Sequence, residues 1–313
     1  MNAEAGPERR SADGGPSSRA DQRRTQALML GGLLVYTVVT QLTMGLRAEH
    51  GVLLAVIVAV TLRGGKALTF LALFSPVILT GITYDNVRLL VDLRGEIHVD
   101  DLYAAELALF GIDGMVPALW FETRTHPLAD FIAGIAYIVY LYVPMLTAVA
   151  LFWIDRRAML LVGASFLATN LLGIAVYLGY PAAPPWYVDM YGLGPANLAA
   201  VPNAAGAVRF DQLVGVDYFT EFYKRSANVF GAMPSLHTAY PTSTALALYS
   251  TGKKGWRPVA LFSLLVGFSA VYLQHHYILD VIAGFACAIA GWLMARGVMR
   301  ARERRPTLEP ANA

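Results

Sequence analysis

The sequence predicts an all-α fold, a polytopic transmembrane helical bundle of about six to eight spans, on three observations. The chain is 56% hydrophobic and only 15% charged, with a mean hydropathy of +0.50, values that a soluble domain of this length seldom reaches. Its apolar residues fall into runs near the roughly 20 helical residues that a bilayer core requires. Its basic residues gather on alternate connections, as short cytoplasmic loops do.

Taken in order, residues 1–25 are rich in Ala, Gly, Ser, Pro and Arg without apolar periodicity and read as a disordered cytoplasmic tail. Residues Asp21 to Leu28 superficially resemble a twin-arginine signal. The apolar stretch that follows ends at Leu46 without a small-residue cleavage site, so it reads as an uncleaved first helix. Eight candidate spans follow, at 27–45, 51–62, 67–83, 128–153, 158–180, 235–251, 257–274 and 279–296. The second is the shortest and ends at Arg63-Gly-Gly-Lys66, which also suits a re-entrant segment. Residues 26–127 form an N-terminal membrane region. It closes with an outer segment at 84–127, whose pieces Leu102–Phe110 and Met115–Phe121 are too short to cross and read as interfacial. Residues 128–298 form the expected catalytic core, interrupted by a Pro-, Gly- and Asn-rich outer loop at 181–234, and residues 299–313 form a basic cytoplasmic tail. Gly65, Gly81 and Gly284 are expected to permit close helix packing.

With a cytoplasmic N-terminus, this threading leaves only Arg47, Arg88, Arg94, Arg124, Arg209, Lys224 and Arg225 of the 24 Lys and Arg residues outside. The basic residues are therefore topological. A net charge of +2 supports no nucleic-acid partner. The single cysteine, Cys287, sits in an apolar run and supplies neither a disulfide framework nor a thiolate metal cluster.

Ionisable residues beside membrane spans are costly and are functional candidates by default. Pro234-Ser235-Leu236-His237 opens the sixth span on its outer side, and His275-His276-Tyr277-Ile278-Leu279-Asp280 joins the seventh to the eighth on that same side. Positions 276 and 280 share one helix face. A carboxylate there can hydrogen-bond one imidazole nitrogen and leave the other free to attack, which makes His276 a candidate nucleophile and His237 a separate acid or base. The same spacing also suits a purely structural His/Asp pair. His and Asp are metal ligands too, but neither Cys nor a His-Glu-x-x-His pattern supports a metal.

Phe230-Gly-Ala-Met-Pro-Ser-Leu-His-Thr-Ala-Tyr-Pro241 and His275-His-Tyr-Ile-Leu-Asp-Val-Ile-Ala-Gly284 resemble the second and third signature motifs of the type 2 phosphatidic acid phosphatase superfamily. Tyr180-Pro-Ala-Ala-Pro-Pro-Trp-Tyr187 is similar to the first conserved region of its inositolphosphotransferase branch, which contains inositol phosphorylceramide synthases. The resemblance spans the second half of the chain. It implies a phosphatidic acid phosphatase-like helical core and phospho-group transfer through a histidine, with no obligatory metal or other cofactor. Carried over by position, His276 matches the nucleophile, Asp280 its orienting carboxylate and His237 the acid/base.

The sequence departs from the superfamily's phosphatases in its cations. The segment Ala158 to Trp186 holds no basic residue, and Ser269-Ala270 stands where a Ser-Arg pair is usual. Phosphate still needs donors. Lys224 and Arg225 are the first candidates, then Arg209 and Arg88, although each also reads as solvated loop charge and Arg88 as a helix-end partner of Asp85. Ser235 is placed either to donate to phosphate or to cap the sixth helix, whose N–H groups can themselves bind an anion. Trp186, Tyr187, Tyr191 and Tyr223 suit a lipid or sugar site, or an interfacial aromatic belt.

The expected function is transfer of a phospho-headgroup, inositol phosphate from phosphatidylinositol, to a lipid hydroxyl. The partners are a phospholipid donor, a lipid acceptor and the bilayer, with the active site on the non-cytoplasmic side of a cell membrane. A phosphatase using water is the nearest alternative. A transporter or scaffold is the second, disfavoured because the candidate residues gather at one face instead of at the midplane.

Overall fold

A computed structural model describes residues 18–225 and 228–304. Among them there are helices, turns and isolated bridges but no strands. The helices are α1 (Arg19–Thr43), α2 (Ala48–Arg63), α3 (Gly65–Asp85), α4 (Asp100–Phe110), α5 (Pro117–Trp120), α6 (Pro127–Val139), α7 (Tyr142–Ile154), α8 (Arg156–Gly179), α9 (Pro185–Tyr191), α10 (Val208–Val214), α11 (Tyr218–Lys224), α12 (Leu236–Ser250), α13 (Trp256–Tyr272) and α14 (Ile278–Arg304).

Every expected apolar run falls on a helix, the run at 128–153 on the pair α6 and α7. The expected count of six to eight spans is not reached by length and apolarity. Among the described residues, four helical stretches are long and apolar enough to cross a membrane, and α6 with α7, bent by 52°, makes a fifth if the pair is one span. Helices α2, α12 and α13 have 16, 15 and 17 residues. At about 1.5 Å per residue they fall short of the ~30 Å hydrocarbon core.

The described tails are shorter than the sequence predicts. Helix α1 begins at Arg19 because the Ser18 hydroxyl accepts from the Asp21 N–H at 3.1 Å, so residues 19–25 are helical. Helix α14 likewise carries 299–304. Residues 1–17 and 305–313, which hold Arg9, Arg10 and Arg305 of the charge argument, lie outside the described residues.

The chain divides into two compact units. One comprises residues 1–75 and 148–160. Within it the Gln26 side chain donates to the Thr61 carbonyl at 2.9 Å, tying α1 to α2, and Phe70 packs edge-on against Phe152 at 5.1 Å. The outward residues of α1, among them Leu34, Val35 and Leu42, are exposed, as lipid-facing side chains are.

The other unit comprises residues 76–147 and 161–313. Its core joins Ala133 and Tyr137 of α6, Phe210 of α10, Phe219 of α11, Ala270 to Tyr272 of α13 and Val281 of α14. Helix α12 packs on both α13 and α14. Gly284 allows this, because a Cβ there would lie 2.5 Å from the Ser235 carbonyl oxygen. Gly65 and Gly81, expected to act alike, have nothing within 4 Å. Three loops are laced side by side through parallel bridges of His98 with Ala182 and of Ala182 with Gly231. This places the Pro-rich segment after α8 against the approach to α12.

Candidate active site

Two reversals of the chain build the site. Helix α13 ends at Tyr272, and Gln274 adopts a left-handed φ of 64°, which turns the chain so that the His275 and His276 N–H groups both donate to the Ala270 carbonyl at 3.0 and 3.1 Å. Ala270, standing where the resemblance leads one to expect Arg, thus contributes backbone. Across from it, the Ser235 N–H donates to the Asp280 carbonyl at 2.9 Å, which fixes the start of α12 against the first turn of α14.

This geometry brings His237, His276 and Asp280 together. His237 Nδ1 lies 3.0 Å from His276 Nε2, and His276 Nδ1 lies 3.4 Å from Asp280 Oδ2, at ion-pair distance but without hydrogen-bond alignment. Asp280 is fully buried and accepts the Tyr277 N–H at 2.8 Å. His276 is 3% exposed. With the His276 Nδ1 proton toward the carboxylate, Nε2 keeps its lone pair and accepts from His237 Nδ1–H. The arrangement is a line of carboxylate, imidazole and second imidazole, which can raise the nucleophilicity of one ring and supply a proton from the other.

The other expected residues are placed as follows. Ser235 is fully buried at the start of α12, with Oγ 3.4 Å from Thr238 Oγ1. Arg209 is held by Asp130 Oδ1 at 2.7 Å and by the Tyr272 carbonyl at 3.1 Å, at the end of α13. Lys224 pairs with Glu221 at 2.6 Å on an exposed turn, and Arg225 is exposed at the end of α11. Arg88 pairs with Asp85 at 2.8 Å after α3. Trp186 is buried with Val99, Ala183, Tyr187 and Phe230, and its backbone N–H donates to the Gln274 carbonyl at 3.2 Å. It braces the turn before the histidines. Tyr187 and Tyr191 pin the following loop by accepting the Asn197 and Val201 N–H groups at 2.6 and 3.2 Å.

Several site residues were missed by sequence reasoning. Glu106, fully buried on α4, accepts the Ile278 and Leu279 N–H groups at 2.8 and 3.0 Å, and so satisfies the start of α14. Burial, with the Asp280 charge adding to it against those N–H groups, raises its pKa above the ordinary value. Asp130 anchors Arg209, and the Tyr272 hydroxyl also donates to it at 2.9 Å. Each is the lone charge in an apolar run, and that signal could have found both. His275 donates from Nε2 to the Ala204 carbonyl at 3.0 Å, and burial, then the neighbouring His276, pushes its pKa down to about 3. It is a neutral structural imidazole.

Comparison with known proteins agrees with these motifs. Residues 101–294 match the PAP2 superfamily. The chain is 37% identical over 280 residues to the phosphoinositol dihydroceramide synthase of Bacteroides thetaiotaomicron, covering 86% of this chain and 91% of that protein. It is 29% identical to the inositol phosphorylceramide synthase catalytic subunit of Schizosaccharomyces pombe, covering 87% of this chain and 64% of that one. With the inositol phosphorylceramide synthase of Candida albicans it shares 34% identity over 60% of this chain and 40% of that protein. No solved structure matches the chain significantly.

Proposed function

Since the chain belongs to the PAP2 superfamily, as an integral membrane phosphotransferase like the inositol phosphorylceramide synthases, we propose that it transfers inositol phosphate from phosphatidylinositol to the hydroxyl of a ceramide-type lipid. The observation that carries this reading is the line Asp280–His276–His237, with contacts of 3.4 and 3.0 Å at the meeting of α12 and α14.

In the first step His276 Nε2 attacks phosphorus. The new N–P bond replaces the P–O bond to diacylglycerol, and His237, as imidazolium, gives its proton to the leaving oxygen. In the second, His237 takes the proton of the acceptor hydroxyl, whose oxygen bonds to phosphorus as the N–P bond breaks. Asp280 offsets the positive charge on His276 throughout. The site faces the non-cytoplasmic side of the membrane, consistent with the scarcity of Lys and Arg on the connections that share that side.

The test incubates purified protein with headgroup-labelled phosphatidylinositol, with and without ceramide. An inositol-phosphate ceramide product supports transfer; release of water-soluble inositol phosphate alone, whether or not ceramide is present, favours hydrolysis. His276→Ala is expected to abolish turnover in a folded protein, and preserved conversion in that variant would sink the mechanism.

A further inference from the structure

Four rings stack without interruption beside the catalytic pair. Tyr223 lies on His275 at 4.4 Å and 11°, His275 on Tyr137 at 5.4 Å and 17°, and Tyr137 on His237 at 4.2 Å and 12°. Tyr140 approaches the His237 ring at 4.5 Å and 48°. The interior of the stack is rigid, because His275 is tied to the Ala204 carbonyl. The chain bends between α6 and α7 just after Val139, so both tyrosines reach His237 from one short stretch.

Tyr137 carries a second feature. It is 3% exposed, and its hydroxyl makes no well-aligned hydrogen bond among the described residues, the Tyr223 hydroxyl lying only at the margin of hydrogen-bonding reach. Leaving a hydroxyl buried and unpaired costs about 1–3 kcal/mol, so such groups in folded proteins call for an explanation. The ring has an evident task, whereas a phenylalanine would stack equally well.

We propose that Tyr137 is a positioning residue for His237 and that its hydroxyl donates a hydrogen bond to an oxygen of the phosphorylated lipid donor, a deepening that rests on the function proposed above. The ring fixes the imidazole plane, so Nδ1 stays beside His276 Nε2, 3.0 Å away, next to where phosphorus must bind. The hydroxyl supplies a neutral donor to a phosphate that meets no basic residue from the segment Ala158 to Trp186.

The experiment uses the full-length protein in detergent with labelled phosphatidylinositol and ceramide, and follows diethyl pyrocarbonate modification of His237 by mass spectrometry across pH. Tyr137→Phe is expected to raise the donor KM about tenfold while leaving kcat, its pH profile and His237 reactivity unchanged. Tyr137→Leu is expected to lower kcat on the order of a hundredfold and to shift the pH dependence of His237 modification. A wild-type KM in Tyr137→Phe overturns the hydroxyl contact, and wild-type kcat and reactivity in Tyr137→Leu overturn the positioning role. Should Tyr137→Leu fail to fold, Tyr223→Leu loosens the stack from its far end, and unchanged His237 reactivity there overturns it equally. If the wild-type protein transfers nothing between these lipids, the lipid reading has failed, and His237 modification still decides the positioning role.

Discussion

Helices α12 and α14 both begin beside the imidazole pair, yet their first turns end in opposite ways. At α14 the protein supplies its own anions: Glu106 takes the Ile278 and Leu279 N–H groups and Asp280 takes that of Tyr277. At α12, Ser235 makes no side-chain cap, and the N–H groups of Leu236, His237 and Thr238 find no acceptor among the described residues. A helix start concentrates partial positive charge. The start of α14, just after His276, is therefore closed and anchored, whereas the start of α12, which carries His237, is left with free N–H groups. Under the proposed function, the difference would offer phosphate a place in a site poor in basic side chains.

The sharpest test of the closed end is Asp280→Asn. The amide oxygen still accepts the Tyr277 N–H but no longer carries charge toward His276. Headgroup transfer is expected to fall on the order of 10²–10⁴-fold with little loss of fold, measured as kcat on the same lipid pair.

Next comes Glu106, which should act chiefly on stability. Glu106→Ala strands two N–H groups and is expected to cost on the order of 3 kcal/mol, read as a lower midpoint of heat inactivation in detergent. The sign with pH follows from its raised pKa. The folded protein holds a proton that the unfolded chain releases, so the group favours folding below its ordinary value of 4.5 and loses that contribution as pH rises through the raised one. Glu106→Gln lacks this loss. The wild-type midpoint should therefore fall relative to Glu106→Gln as pH rises through that window, and parallel curves would refute the assignment.

Much of this contrast was legible in the sequence, and for physical reasons. His237, His276 and Asp280 lie in short contiguous motifs, although His276 sits in the turn before α14, so the last two meet across that turn and not on one helix face. The apolar runs announce helices because lipid demands them. A lone charge in an apolar run marks Glu106 itself, but its partners and those of Tyr137 were hidden, because the two residues reach the site across 172 and 100 residues of chain respectively, from α4 to Ile278 and from α6 to His237. No local pattern records such a contact. The span count of six to eight is not confirmed for a related reason: hydropathy reads apolarity but not whether a helix is long enough to cross, and α12 begins and α13 ends at the turns that build the site.

Gly284→Ala probes the seam that holds the two helix starts together. The added methyl meets the Ser235 carbonyl at 2.5 Å, which is backbone and has little room to yield. A loss of about 1–3 kcal/mol in stability is expected, accompanied by lower transfer as α12 moves from α14. A variant as stable and active as wild type would mean that the seam is looser than drawn.

The smallest expected effect bears most directly on the open end. If Ser235 capped α12, its replacement by Ala would cost about 1 kcal/mol in stability. Its Oγ makes no such cap and lies only 3.4 Å from Thr238 Oγ1, so Ser235→Ala should leave stability within about 0.5 kcal/mol and lower kcat/KM for the lipid donor about tenfold. Ser235→Asp then turns the comparison on itself. A carboxylate at that position would accept from the first turn of α12 as Glu106 does from α14, raising the heat-inactivation midpoint while excluding phosphate by charge and occupancy. A Ser235→Asp protein that still binds the donor with wild-type KM would show that the free N–H groups of α12 are not where phosphate is held.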